Sequence, residues 1–173
     1  MLGPLEVDIE KQPKNLNVEE TGETYLENAL LKGIAAAKLT NTWTIADDSG
    51  LEVDALNGQP GIYSARFASN KEEKLKKLLN LMDETPYRSA RFHSVMVLCD
   101  PEGIPITNAE GICWGEILKS PAYPNGEFES LFWIKETKCT YGELSEEQLL
   151  KIGSRGKAAR SIANTLLRSL KID

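Results

Sequence analysis

Residues 45–68 read IADDSGLEVDALNGQPGIYSARFA. A short apolar lead runs into Asp47 and Asp48. Ser49 and Gly50 follow, then the alternating Leu51, Glu52, Val53 and Asp54, then Gly58, Pro60 and Gly61. Carboxylates at the end of a buried strand, followed by a turn, suit a divalent metal or a general base. An Asx-type turn closing the strand would use the same residues. Two adjacent acids ending an apolar strand are costly unless paired or metal-bound. Successive side chains of an extended strand point to opposite faces, so only one of the pair can aim into a given cleft unless the backbone turns there. The stretch therefore predicts a buried strand over 43–47, a turn at the acidic pair and a second extended piece over 51–53. The rest of the chain is expected to build a platform and a cleft around Asp47 and Asp48.

The bulk composition sets limits on what surrounds it. The chain has 173 residues, 41% hydrophobic and 27% charged, with a formal net charge of −6. That length supports one domain with a real core over 1–173. The acidic balance argues against a nucleic-acid polymer as partner, yet leaves room for a phosphate ligand at a locally cationic site. The three cysteines, Cys99, Cys113 and Cys139, are widely spaced and lack a C-x-x-C pair. A disulfide framework or zinc site is not expected, and a reducing cytoplasm fits best. No apolar run approaches the roughly 18–20 residues of a membrane span, and the first residues lack the pattern of a signal peptide.

Along the chain, residues 5–9 alternate as a short strand would. Thr24 and Glu27 have capping-box spacing, which places a helix start there. Alanines, leucines and Ile34 carry that helix to Thr40 and Asn41. Asn70 with Glu73 opens a second helix through Met82. Its Leu75, Leu78, Leu79 and Met82 follow one face, with the lysines turned to water. Residues 88–100 and 104–118, joined by Pro101, Glu102 and Gly103, form the clearest hairpin. A loop over 120–129 precedes a short strand at 131–134. Ser145 with Gln148 starts a short helix, a break spans 153–156, and a terminal amphipathic helix spans 157–170. Helices at both ends with a long hairpin between them indicate an α/β domain with a mixed, strongly bent sheet.

Several further side chains are candidates with two readings each. Glu20, just before a helix, suits either the helix dipole or a cation. Lys32 suits a phosphate or plain solvation, and Arg66 suits a phosphate or a pairing with a surface acid. Arg155, between two glycines near a helix start, suits an anion or the surface. His93, beside Phe92 in a strand, reads as structural. Trp43, Trp114 and Trp133 read as core or cleft wall.

The run EETGETYLENALLKGIAAAK at 19–38, then the stretch at 45–68, ARFHSVMVL at 90–98, EGICWGEI at 110–117 and SRGKA at 154–158 closely resemble the inosine/xanthosine triphosphate pyrophosphatase family. The resemblance covers nearly the whole chain in order. It implies a long bent mixed sheet with helices in two lobes around a central cleft, and a homodimer. It also implies Mg²⁺ and hydrolysis of non-canonical purine nucleoside triphosphates (ITP, dITP, XTP) to a nucleoside monophosphate and pyrophosphate. By the same resemblance Glu20 and Asp48 hold the metal and Asp48 is the general base, with Asp47 in support. Ser49 and Lys32 contact substrate, and Arg155 reads the purine.

The chain also departs from the family. The family's first strand and T-G-N-x-x-K phosphate cradle have no counterpart, so the chain is expected to begin after them. The base-holding G-F-G-Y-D-P loop falls on 125–130 and reads NGEFES. Gly126 stands for the stacking Phe, Phe128 for Tyr and Glu129 for Asp. The S-H-R segment reads Gly153, Ser154, Arg155. Substrate contacts are thus expected from Phe128, Glu129, Ser154 and Arg155, with weakened purine selectivity. The alternatives are a homologue with little or no turnover that acts by binding or dimerisation, or a hydrolase of another nucleotide.

Overall fold

A computed structural model of the chain describes residues 8–170. The elements in order are α1 (Tyr25–Thr40), β1 (Thr44–Val53), α2 (Lys71–Leu81), β2 (Ser89–Cys99), β3 (Pro105–Ile117), β4 (Phe132–Ile134), β5 (Cys139–Thr140), α3 (Glu146–Ile152) and α4 (Ser154–Ser169), with short 3₁₀ turns between them. The strands form one five-stranded sheet in the order β1-β2-β3-β4-β5. The α/β class and the long central strands match the expectation. The pairings of β3 with β4 and of β4 with β5 are antiparallel. Of the strand expected at 5–9, residues 5–7 lie outside the described residues, while Asp8 and Ile9 are coil.

The helix starts follow the capping logic. Thr24 Oγ1 accepts from the Glu27 amide at 3.1 Å, and Asn70 Oδ1 accepts from the Glu73 amide at 2.9 Å. In neither case does the glutamate close the box on the cap residue. Glu27 reaches one residue further back, to the Glu23 amide, and Glu73 takes the Ser69 hydroxyl. Ser145 and Gln148 do form the reciprocal box. Asn41, in the left-handed region at φ 53°, ends α1 by donating its amide to the Ala37 carbonyl.

Two expectations are overturned. β1 does not stop at the acidic pair but runs unbroken for ten residues, with Asp47 and Asp48 inside it. The alternation continues through the acids because each finds a cationic partner, so no turn is needed to expose them. Nor is 153–156 a break of several residues. Gly153 alone caps α3, donating to the Leu149 carbonyl at 3.0 Å, and α4 begins at Ser154. A Cβ on Gly153 would stand 2.5 Å from the Leu149 carbonyl oxygen, so glycine permits the close join.

The chain divides into two compact units. One holds the described residues through Asp48, Ser94–Gly111 and those from Arg155 on; the other holds Ser49–His93 and Ile112–Ser154. In the first unit the sheet is covered on both faces. Ala29 and Ala37 of α1 cluster with Val97 and Cys99 of β2, and Ala46 of β1 packs against them. Ala158, Ala159, Ile162 and Leu166 of α4 cluster with Met96 and Leu98, and Ile45 packs against them. Odd and even residues of β1 and β2 thus serve opposite helices, as the period of two requires. The second unit has its own core, in which Leu51, Val53, Leu78, Met82, Phe128 and Phe132 take part. Among the described residues no helix is long and apolar enough to cross a membrane.

Gly33 is where α1 meets the sheet. A Cβ there would lie 3.0 Å from Val97 Cγ2 and 3.1 Å from Cys99 Sγ. Gly33→Val is therefore expected to overpack this contact and cost about 1–3 kcal/mol. Urea unfolding should show a lower midpoint at an unchanged slope. An unchanged midpoint would refute the close seating of α1.

Candidate functional site

The alternation of β1 sends the two acids to opposite helices. Asp48, on the same face as Ala46, points toward α1. It is 8% exposed. Its Oδ1 accepts from Lys32 Nζ at 2.8 Å, and its Oδ2 accepts from Asn28 Nδ2 at 3.3 Å. Asp47, on the face of Ile45, accepts from Arg155 Nε on α4 at 2.7 Å. The Arg155–Asp47 pair is largely exposed, with side-chain exposures of 54% and 33%.

Glu20 joins Asp48 through the same cation. Lys32 Nζ donates to Glu20 Oε1 at 3.1 Å. The segment carrying Glu20 is tied to α1 by the Gly22 amide, which donates to Asn28 Oδ1 at 2.9 Å. A Cβ at Gly22 would fall 2.8 Å from that oxygen and 2.6 Å from Glu27 Cβ, so only glycine fits this approach. Asn28 is fully buried. Its amide uses one end on the Glu20 segment and the other on Asp48. The sequence reading overlooked Asn28; its place four residues before Lys32 on one helical face was the available signal.

The electrostatics follow from one ammonium serving two carboxylates. Burial works against the Lys32 charge, but the bonds and charges of Asp48 and Glu20 outweigh it and hold the ammonium above its ordinary range. Burial pushes the Asp48 carboxyl above the usual carboxylate range. Lys32 and Asn28 oppose that rise and the Glu20 charge adds to it. The site is a half-buried cluster with one negative charge in excess.

No group of three or more His, Cys, Asp or Glu side chains suited to a metal occurs among the described residues. Glu20 and Asp48 nevertheless converge on one cationic atom. Two carboxylates of that kind fit Mg²⁺, which takes one or two protein carboxylates and fills its shell with water and phosphate oxygens.

The remaining candidates belong to the second unit. Ser49 is half-buried in β1. Ser154, 3% exposed, opens α4. Phe128 is 6% exposed, its ring 6.0 Å from that of Phe67, so it is a core residue and its ring is not free to stack. Glu129 Oε1 accepts from the Glu127 amide at 2.8 Å. Arg66 is exposed at the end of a 3₁₀ turn. His93 Nδ1 lies 3.1 Å from Glu52 Oε1, which fits its structural reading.

Of its two readings, core or cleft wall, Trp114 is not core. It is 57% exposed, with the Arg91 guanidinium 5.2 Å from its ring centre. Its β3 neighbours Cys113 and Ile117 take the core face, which leaves Trp114 on the other. Among the α2 lysines, Lys71, Lys76 and Lys77 are exposed as expected, with Lys77 donating to the Phe67 carbonyl at 2.8 Å. Lys74 departs from the expectation: it is sheltered and paired with Glu127.

A sequence model of the Ham1 family matches residues 1–165. The dITP/XTP pyrophosphatase of Synechocystis sp. (strain ATCC 27184 / PCC 6803 / Kazusa) is 42% identical over 158 residues, covering 91% of this chain and 81% of that protein. The dITP/XTP pyrophosphatase of Vibrio cholerae serotype O1 is 45% identical over 153 residues, covering 83% and 75%. Among solved structures, the Staphylococcus aureus Ham1 protein matches with a TM-score of 0.80 at 40% identity, covering 90% of this chain and 82% of that one. A HAM1 protein from Coxiella burnetii matches with a TM-score of 0.79 at 34% identity, covering 88% and 81%. A family model over nearly the whole chain and relatives above 40% identity agree, and the chain belongs to the Ham1 family.

Proposed function

We propose that the protein hydrolyses non-canonical purine nucleoside triphosphates (ITP, dITP, XTP) to nucleoside monophosphate and pyrophosphate, with Mg²⁺ as cofactor. The observation that carries this reading is the convergence of Asp48 at 2.8 Å and Glu20 at 3.1 Å on one cation, Lys32 Nζ. Relatives 42% and 45% identical over most of the chain are dITP/XTP pyrophosphatases.

Glu20 and Asp48 would hold the ion, which supplies charge neutralisation to the phosphates. Asp48 takes a proton from the water that attacks the α-phosphorus. The bond to the bridging oxygen breaks, and pyrophosphate leaves with that oxygen. A carboxyl raised by burial is better matched to this proton than an ordinary aspartate. Lys32 holds the two carboxylates together and offers its charge to the phosphates. Ser49, the next residue of β1, contributes a hydroxyl to the substrate, and Arg155, oriented by Asp47, contacts the purine with Ser154. The segment carrying Phe128 and Glu129 supports the base. With Phe128 buried, that support is backbone and shape more than ring stacking, which favours relaxed discrimination among purines. We also read residues 1–173 as one functional domain, acting as a cytoplasmic homodimer. Light scattering would show twice the 19.2 kDa chain mass if the dimer forms.

Pyrophosphate release from ITP, dITP, XTP and ATP tests the reading. Asp48→Asn is expected to lower kcat by about 10²–10⁴-fold, and chelation of Mg²⁺ to abolish turnover. Asp47→Asn weakens a partly exposed pair with Arg155, and is expected to lower kcat/KM by less than about tenfold. Equal loss at Asp47 and Asp48 would overturn the assignment of roles. No turnover of any triphosphate by the folded protein would overturn the activity.

Asn28→Ala removes both bonds of the buried amide. It is expected to cost about 1–3 kcal/mol of stability and to lower kcat through a misplaced Asp48. Denaturant melts and single-turnover rates check the two effects. Unchanged values of both would remove Asn28 from the site.

A further inference from the structure

We infer that Lys32 is the site's own stand-in cation: its ammonium holds Glu20 and Asp48 together until a divalent ion displaces it, so the lysine sets how tightly that ion binds. This rests on the reading of Glu20 and Asp48 as the carboxylates that hold the ion. All three residues belong to the first unit.

Ammonium and ion compete for the same contacts. Lys32 Nζ donates to Asp48 Oδ1 at 2.8 Å and to Glu20 Oε1 at 3.1 Å. The other Asp48 oxygen, Oδ2, accepts from Asn28 Nδ2 at 3.3 Å. Asp48 is 8% exposed, so little of its carboxylate is open to a second cation. An ion that draws on Asp48 and Glu20 together must therefore take the Asp48 oxygen that the lysine already uses. The two cations cannot share this place, because like charges at contact distance repel strongly where water is scarce.

The carboxylates do not need the lysine to keep their places. Asn28, fully buried on α1, donates to Asp48 with one end of its amide. With the other end it accepts from the Gly22 amide at 2.9 Å, two residues after Glu20. Asp48 itself sits in mid-strand on β1. Lys32 is the movable member. Its place on α1 is fixed where the next residue, Gly33, meets Val97 and Cys99. Its side chain, however, is a flexible four-carbon stem ending in a compact point charge, and it is 25% exposed. The head can leave for water by side-chain rotation alone, with α1 in place. An arginine would lock onto the carboxylates with a planar fork, whereas a lysine suits exchange.

Displacement favours a divalent ion. A tethered ammonium meets the carboxylates at a high effective concentration, which free monovalent cations do not match. A divalent ion balances both carboxylates at once, where the ammonium leaves one negative charge in excess. Without the ion, the lysine spares two sheltered acids from facing each other unpaired. The same contact lowers the affinity for the ion by whatever its displacement costs.

The test measures binding of Mg²⁺ and of Mn²⁺ alone, with no nucleotide present, by calorimetry and by Mn²⁺ electron paramagnetic resonance. It compares wild type, Lys32→Met, Lys32→Arg and Asp48→Asn, each checked for fold by circular dichroism. Lys32→Met keeps the apolar stem and loses the charge, and is expected to bind both ions about 10–100-fold more tightly than wild type. Lys32→Gln, also neutral, takes its place if Lys32→Met does not fold. Lys32→Arg keeps the charge and is expected to bind the ions no more tightly than wild type. Urea midpoints give a second readout. One fixed Mg²⁺ concentration should raise the midpoint of the neutral variant more than that of wild type, as tighter binding to the folded chain requires. Unchanged or weaker ion binding in the neutral variant overturns the proposal and leaves Lys32 a fixed partner of the two acids. Equal tightening in Lys32→Arg overturns it as well. If neither wild type nor the neutral variant binds either ion, or if Asp48→Asn binds as wild type does, the reading of Glu20 and Asp48 as ion ligands has failed. The proposal then falls with it, by a different measurement.

Discussion

β1 carries two adjacent aspartates in mid-strand, and an extended chain must turn them to opposite faces. Everything functional in the first unit is arranged around that constraint. Asp48 faces α1, where Asn28 and Lys32 stand one helical turn apart; Asp47 faces α4, where Arg155 meets it. Neither helix is held in place by these polar contacts. The exposed Arg155–Asp47 pair is worth about 0–1 kcal/mol, whereas each buried aliphatic side chain of the helix–sheet clusters contributes about 1.5–3 kcal/mol. Apolar seating against Val97 and Cys99 on one side, and Met96 and Leu98 on the other, delivers the cationic side chains to their acids.

The charge count on the α1 side is uneven by construction. One ammonium serves two carboxylates, so Lys32 gains from both while Asp48 has only a share of its cation. The lysine stays firmly protonated between its two carboxylates, while burial, with a smaller push from the Glu20 charge, raises the aspartate. A site of this kind is stable enough to fold and still favours additional positive charge.

The parts legible in the sequence were those governed by local rules. Thr24, Asn70 and Ser145 each accept the amide three residues on, and the Asp100–Ile104 turn closes the hairpin where Gly103 supplies a φ of 82°. The acidic stretch identified the family because its residue types are specific in order. What local rules could not supply was partner identity. The acidic pair read as a strand end because an unpaired acid would end a strand; Lys32 and Arg155, 16 and 108 residues away, make the ending unnecessary. Lys74 reads as solvated because Glu127, its partner, lies 53 residues away. Residues 153–156 read as a break because two glycines lower helix propensity, while Gly153 in fact serves the close junction of α3 with α4.

Asn28 shows why such a partner is chemically narrow. The position is fully buried, must accept from the Gly22 amide and must donate to Asp48. Aspartate would accept but would add a third carboxylate to a cluster already one charge in excess. Leucine would fill the volume and leave the carboxylate oxygen without its buried donor, a loss of about 1–3 kcal/mol. Serine offers donor and acceptor on a single atom, too short to serve both ends. Only a side-chain amide separates the two functions across the needed span, and glutamine would add a methylene where Gly22 already approaches too closely for a Cβ. The geometry of the Glu20 segment and the placement of Asp48 therefore reduce to one residue type at one position of α1. That position also fixes where Lys32, one turn later, presents its charge.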